Sequence, residues 1–200
     1  MTLNSANRIT ILRILLIIPF VICMLKDNDP SWGKTLRYVA LVLFFVMAFS
    51  DAYDGYVARK KKQVTKLGSF LDPMADKLLM ACACVLLSIE KTDVHGFQLP
   101  PTVVVLIIGK DMFLLLGFLI LYFLTLQVKI FPAYIGRIAT VLQLSMVAAI
   151  LMAPEVSKAL PGWIWFVKFL WWSSAATAII ATLIYIRAGT RYIEQFENNK

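Results

Sequence analysis

Long apolar stretches alternate with short polar ones along this chain. A membrane-spanning helix needs about 20 mostly apolar residues to cross a hydrocarbon core of roughly 30 Å. Six segments meet or approach that length: 11–25, 36–58, 67–89, 101–126, 134–153 and 163–186. The pattern predicts an all-α integral membrane protein with six transmembrane helices, in a single membrane domain that covers residues 1–200.

The stretch before the first span fits two interpretations. Met1 to Thr10 are polar and only weakly periodic, which suits either a short N-terminal interfacial helix or a simple tail. The first apolar run follows Arg8 and Arg13 as in a signal peptide, but no small-residue A-x-A cleavage site comes after it. We therefore interpret this run as a retained first span.

Composition supports the membrane interpretation and limits the classes of binding partner. Sixty per cent of the residues are hydrophobic, and 20 Lys and Arg against 12 Asp and Glu give a net charge of +8. Such an excess suits nucleic acid, anionic lipid headgroups or a phosphate-bearing substrate. Because little of the chain remains outside the spans, we expect lipid and phosphate as partners and no nucleic acid.

The basic residues also predict an orientation. Twelve of them lie at one set of span ends and six at the other, and cytoplasmic loops carry the larger share. With an even number of spans, both termini and the basic loop 59–66 are predicted on the cytoplasmic side of the cell membrane.

Four acidic side chains lie in or at the edge of the spans, where a central Asp costs about 2.5–3.5 kcal/mol. Asp51 and Asp54 are three residues apart and Asp72 and Asp76 four apart, so on helices each pair shares a face. A short hairpin between the second and third spans brings both pairs to one end. Four carboxylates would repel one another unless cations lay among them. Ligands that are all oxygen favour Mg²⁺, Mn²⁺ or Ca²⁺ over zinc or copper.

These carboxylates belong to a longer pattern, D-x-x-D-G-x-x-A-R, eight residues, then G-x-x-x-D-x-x-x-D. Every fixed position is present: Asp51, Asp54, Gly55, Ala58, Arg59, Gly68, Asp72 and Asp76. This segment resembles the signature of the CDP-alcohol phosphotransferase family. The six-span layout extends the resemblance over most of the chain.

The resemblance implies an enzyme of phospholipid synthesis that moves a phosphatidyl group from CDP-diacylglycerol to a phosphate-bearing alcohol and releases CMP. It implies a two-metal site for Mg²⁺ or Mn²⁺, with Asp51, Asp54 and Asp72 as principal ligands. Asp76 is implied as both a ligand and the general base, a division that suits phosphoryl chemistry. Relatives in the family also suggest a homodimer.

The remaining signature positions are implied to bind the CDP-lipid together with Asp51 and Asp54. By resemblance, Gly55, Ala58 and Gly68 form the floor of the cytidine pocket and Arg59 contacts a phosphate. The spacing Asn7-x-x-Thr10-x-x-Arg13 resembles the N-x-x-T-x-x-R opening of phosphatidylglycerophosphate synthases, with Ala6 in place of their usual Pro. We add Thr10 to the CDP-lipid-binding set, and the opening favours glycerol 3-phosphate as acceptor.

A second resemblance leaves the acceptor open. The pair Lys110 and Asp111 in the fourth span, followed by the segment 134–144, looks closer to the CMP-forming cardiolipin synthases, which use phosphatidylglycerol as the alcohol. We prefer glycerol 3-phosphate because Lys110 and Arg137 offer cationic partners for an acceptor phosphate. Lys110 paired with Asp111 also has a purely structural interpretation, as a buried neutralising pair.

A function of a different class would be a divalent-cation transporter, since intramembrane carboxylates also mark ion pathways. That class predicts acidic residues along the depth of the membrane or in repeated halves. Here the carboxylates cluster at one end, and the chain has no internal repeat. The four carboxylates could instead form structural ion pairs with Lys77 or Arg59. Such pairs would not require the complete spacing of the signature.

Overall fold

The computed structural model of the chain describes residues 5–26, 32–61, 66–92, 94, 96–125 and 134–198. Within these residues the regular structure is helical and includes no strand, so the all-α prediction is confirmed for them. The helices are α1 (Ser5–Leu25), α2 (Gly33–Lys61), α3 (Lys66–Ser88), α4 (Pro101–Thr125), α5 (Tyr134–Leu151), α6 (Ala153–Ala159) and α7 (Trp163–Asn198). A 3-10 turn, Glu90–Thr92, follows α3.

Five of the six predicted spans coincide with one helix each, although the helix ends differ from the predicted boundaries. The fifth, 134–153, covers α5 and reaches the first residue of α6. Helix α1 begins at Ser5 and continues unbroken to Leu25, so residues 5–10 are its first turns and not a separate interfacial helix. Helix α7 continues to Asn198, well beyond 186. The short helix α6, with Pro154 in its first turn, was not predicted.

Two helices in the described part of the chain are long and apolar enough to cross a membrane, at Gly33–Ser50 and Trp163–Thr190. Ile135–Leu151 and Ala153–Ala159, bent by 74° where α5 meets α6, form a third candidate if taken together. Large apolar side chains are exposed on these helices, for example Phe49 and Trp165. Such a surface suits lipid and not water. The chain is therefore a membrane protein, whereas the six-span layout stays a prediction.

The chain divides into two compact units, Met1–Leu99 with Val147–Ile164, and Pro100–Met146 with Trp165–Lys200. In the first unit, α1 packs against both α2 and α3. Its most deeply buried positions recur every three or four residues and so share one face: Thr10, Arg13, Ile17, Phe20 and Met24. The ring centroid of Phe20 lies 6.3 Å from that of Phe44 on α2. The single-domain assignment remains a prediction.

The carbonyl groups at the end of α3 are satisfied by the chain that follows. The Leu99 N–H donates to the Leu87 carbonyl over 2.9 Å, and Gln98 Nε2 donates to the Ser88 carbonyl over 2.8 Å. The Thr92 hydroxyl donates to the Leu86 carbonyl. Because the last carbonyls of a helix have no partner within it, these bonds fix the connection against the helix end.

In the second unit, small residues allow helices to approach closely. Ala175, Ala178 and Ala181 on α7 are buried and recur every three residues, as small residues do at membrane helix contacts. At Gly136 on α5 an added Cβ would lie only 2.5 Å from the Tyr185 hydroxyl oxygen of α7. A side chain larger than that of glycine at this position would therefore displace the end of the Tyr185 side chain.

Candidate active site

The signature residues lie on the last turns of α2 and the first turns of α3. The backbone is helical at 51–59 and again at 68–76, and only residues 62–65 separate the two helices. Helical spacing puts Asp51 and Asp54 on one face of α2, and Asp72 and Asp76 on one face of α3. The backbone of both signature segments is therefore helical, as predicted.

Most side chains of the signature lie outside the described part of the structure. They are those of Asp51, Asp54, Gly55, Ala58, Arg59, Gly68 and Asp72. Their assigned roles therefore stay predictions. Asp76 is described, and its side chain is half-buried, whereas Ala75 and Leu79 on the same helix are fully buried. Asp76 thus lies at the edge of the packed face of α3.

Helix α1 carries two polar residues to the level of the signature. Consecutive helices with a short connection are antiparallel neighbours, and Phe20 contacts Phe44 where α1 and α2 cross. Arg13 precedes Phe20 by seven residues and Asp51 follows Phe44 by seven, so each lies about 10 Å from that contact in the same axial direction. Thr10 lies a further turn along α1.

Arg13 was not among the residues that we assigned to a site from the sequence. Only 2% of its surface is exposed, and Thr10 is also buried. A buried Arg at membrane depth is costly and usually marks a functional site. The signal was present as an isolated cation in an otherwise apolar run, but its burial on the face toward α2 and α3 required the helix packing.

A second group of buried polar side chains lies between α4 and α5 in the second unit. Lys110 Nζ lies 3.1 Å from Asp111 Oδ1 and donates to Gln143 Oε1 over 3.3 Å. All three side chains are buried. The ion pair supports the structural interpretation of Lys110 in part, but Gln143 is an additional partner that the sequence did not indicate.

Gln143 has unused hydrogen-bonding capacity. It has no exposed surface, and its Nε2 donates to no acceptor within the described residues. A buried amide donor without a partner costs about 1–3 kcal/mol. An acceptor oxygen from a bound molecule beside Lys110 would remove that cost.

Arg137 occupies a different position from Lys110. It is exposed and lies in the first turns of α5, six residues before Gln143 and so about 9 Å from it along the helix. The structure brings Lys110 together with Gln143, while Arg137 lies toward the start of the same helix. Its predicted contact with an acceptor phosphate stays a prediction.

Comparison with known proteins decides the family. A family model described as CDP-alcohol phosphatidyltransferase matches residues 3–186, which is most of the chain. The chain belongs to the CDP-alcohol phosphatidyltransferase family. Membership makes it a transferase, so the cation-transporter alternative is set aside.

Individual members of this family are similar to the chain over much of its length. A protein of Bacillus subtilis is 34% identical over 158 residues, which cover 74% of this chain and 77% of that protein. A protein of Rickettsia bellii is 31% identical over 194 residues, or 94% of this chain and 97% of that protein. Both are named CDP-diacylglycerol--glycerol-3-phosphate 3-phosphatidyltransferase.

Proposed function

We propose that this chain transfers the phosphatidyl group of CDP-diacylglycerol to glycerol 3-phosphate and releases CMP. The observation that carries this proposal is the shared name of its relatives in the transferase family, which are 29–40% identical to it. The complete signature on α2 and α3 supports the same chemistry.

The signature carboxylates are proposed to hold two divalent ions, Mg²⁺ or Mn²⁺. The donor set fits, because Asp51, Asp54, Asp72 and Asp76 offer only hard oxygen ligands, which these ions prefer. Bound ions would neutralise the pyrophosphate of the CDP-lipid and the charge that develops on departing CMP.

The residues of the chain have separate tasks in the proposed reaction. Asp76 accepts the proton of the attacking acceptor hydroxyl. The hydroxyl oxygen forms a bond to the phosphorus that carries diacylglycerol, and the bond from that phosphorus to the CMP oxygen breaks. Arg13 of α1, at the level of Asp51, and Thr10, one turn beyond it, would bind phosphate oxygens of the CDP-lipid; both side chains are buried.

The acceptor is proposed to bind beside the polar group of the second unit. Lys110 supplies a buried positive charge, and Gln143 supplies an amide donor that is unused within the described residues. Arg137 adds an exposed guanidinium toward the start of α5. Phosphate is recognised by such charge-assisted hydrogen bonds.

Release of CMP by the purified protein tests the proposal. CDP-diacylglycerol is supplied with glycerol 3-phosphate, phosphatidylglycerol, inositol phosphate or serine in parallel reactions. We expect rapid CMP release with glycerol 3-phosphate only. Rapid release with phosphatidylglycerol alone would replace the proposed acceptor.

A cardiolipin synthase that uses phosphatidylglycerol is the second candidate. One observation favours it: Lys110 is paired with Asp111, so its charge is partly neutralised before any acceptor binds. A phosphodiester carries less charge than a phosphate monoester and needs less compensation.

We also propose six spans with both termini and the active site on the cytoplasmic face of the cell membrane, in a homodimer. Six helices support the span number, since α1 to α5 and α7 have 18 to 36 residues each, and about 20 residues suffice to cross. The excess of basic residues at one set of ends supports the orientation. The dimer rests on family analogy.

A further inference from the structure

A pocket of about 200 Å³ lies beside the first turn of α2 and helix α6, within the first unit. Its walls include Lys34, Arg37, Phe97, Glu155, Ser157 and Lys158. Arg37 precedes Asp51 by 14 residues on the same helix and is therefore about 21 Å from it along the axis. The pocket is thus distinct from the signature site.

The charges around this pocket do not balance. Three of the wall residues are cationic and one is anionic. Arg37 forms an ion pair with Glu155, and the Tyr38 hydroxyl donates to the same carboxylate over 3.1 Å. Lys34 and Lys158 are exposed, and neither has a carboxylate partner within the described part of the chain. Two positive charges therefore remain at the mouth of the pocket.

The buried Arg37 guanidinium is not fully hydrogen-bonded. Its side chain is 2% exposed, and its Nε finds no acceptor among the described residues. An unmet donor on a buried guanidinium is costly.

Aromatic side chains indicate the depth of the pocket. Trp32 and Tyr38 flank Arg37 in the sequence and are 66% and 45% exposed. Exposed Trp and Tyr at a helix end are typical of the membrane–water interface. Lipid headgroups, with their phosphate groups, lie at the same interface.

We infer that this pocket binds a phosphate group, with Lys34 and Lys158 supplying the charge and the ion-paired Arg37 forming part of its wall. The group is either the phosphodiester of an anionic phospholipid or soluble phosphate. The inference does not depend on which acceptor the transferase uses.

Native mass spectrometry of the purified protein with added phosphatidylglycerol or phosphatidylcholine tests the lipid source. The variants are Lys34→Gln, Lys158→Gln and the two combined. Lys168→Gln is the matched control, because Lys168 is an exposed lysine beside an aromatic residue, Trp165, outside the pocket. We expect each pocket variant to lose phosphatidylglycerol affinity about fivefold and the combination about 25-fold, with the control unchanged.

Calorimetric titration with inorganic phosphate tests the soluble source. Phosphate binding that the combined variant abolishes, without any preference for phosphatidylglycerol, would support a soluble ligand. CMP release should stay normal in all variants, which shows that they are folded. Equal lipid retention and equal phosphate binding in the wild type, the combined variant and the control would overturn the inference.

Discussion

Replacing Gln143 with Leu should weaken acceptor binding through Lys110. The substitution keeps the approximate volume of the buried side chain but removes the oxygen that accepts the 3.3 Å hydrogen bond from Lys110 Nζ. Lys110 keeps its ion pair with Asp111 at 3.1 Å, so its charge is not left unpaired. What is lost is the second anchor of the ammonium group and the amide donor of Gln143.

The expected rise in the KM for glycerol 3-phosphate follows from the energy of the lost hydrogen bond. In water-soluble proteins a hydrogen bond to a charged group contributes about 1.5–3 kcal/mol. Polar contacts between membrane helices average about 0.6 kcal/mol and reach about 1.7. The second range applies because Lys110 can turn toward Asp111 when Gln143 is lost. It corresponds to a rise of about threefold to twentyfold in the KM for glycerol 3-phosphate.

Steady-state CMP release measures this effect, with each substrate varied while the other is saturating. The KM for CDP-diacylglycerol should change less than that for glycerol 3-phosphate. Gln98→Leu is the matched control: Gln98 Nε2 donates to the Ser88 carbonyl in the first unit, so its loss should lower stability without changing the acceptor KM. A folded Gln143→Leu protein with an unchanged acceptor KM would refute the role of this cluster.

Further predictions concern the carboxylates and the helix contacts. Excess chelator should abolish CMP release, and Asp72→Asn should shift the activation curve for Mg²⁺ to higher concentration; an unchanged curve would argue against its role as a ligand. Asp76→Asn should lower single-turnover CMP release by about 10²- to 10⁴-fold while CDP-diacylglycerol still binds, and near-normal turnover would eliminate it as the base. Arg13→Gln should raise the KM for CDP-diacylglycerol about tenfold or more, with Arg13→Lys intermediate; equal kinetics in both variants and the wild type would remove Arg13 from the site. Gly136→Ala should lower the melting temperature because the new methyl group meets the Tyr185 hydroxyl, and Tyr185→Phe should restore part of the loss; no restoration would contradict this contact.

Hydrophobicity predicted where helices occur better than where they end. The second predicted span ended at 58 and the sixth at 186, but α2 continues to Lys61 and α7 to Asn198. Apolar patterning marks the part of a helix that suits lipid, whereas backbone hydrogen bonds continue into polar sequence as long as nothing interrupts them. Helix α6 was missed because seven residues that include Pro154, Glu155 and Lys158 have no apolar pattern to detect.

The signature could be predicted from the sequence because its spacing is local and each pair lies on one helix. The partners of isolated polar residues could not be predicted from the sequence. Gln143 is 33 positions from Lys110, and Glu155 is 118 positions from Arg37. No periodicity links residues on different helices, so these pairings follow from helix packing alone. Arg13 was passed over for the same reason.

The burial of Arg13 between α1 and two later helices has a consequence for biosynthesis. Helix α1 leaves the ribosome before α2 and α3, and α3 is complete only about 60 residues after α1 ends. During that interval α1 lies in the insertion machinery or in lipid without its final neighbours. An Arg side chain that faces lipid near the end of a span is unfavourable, and the docking of α2 and α3 covers it. The membrane should therefore hold α1 poorly when it is made alone, and the assembly of the first three helices should be the step that commits the chain to the bilayer.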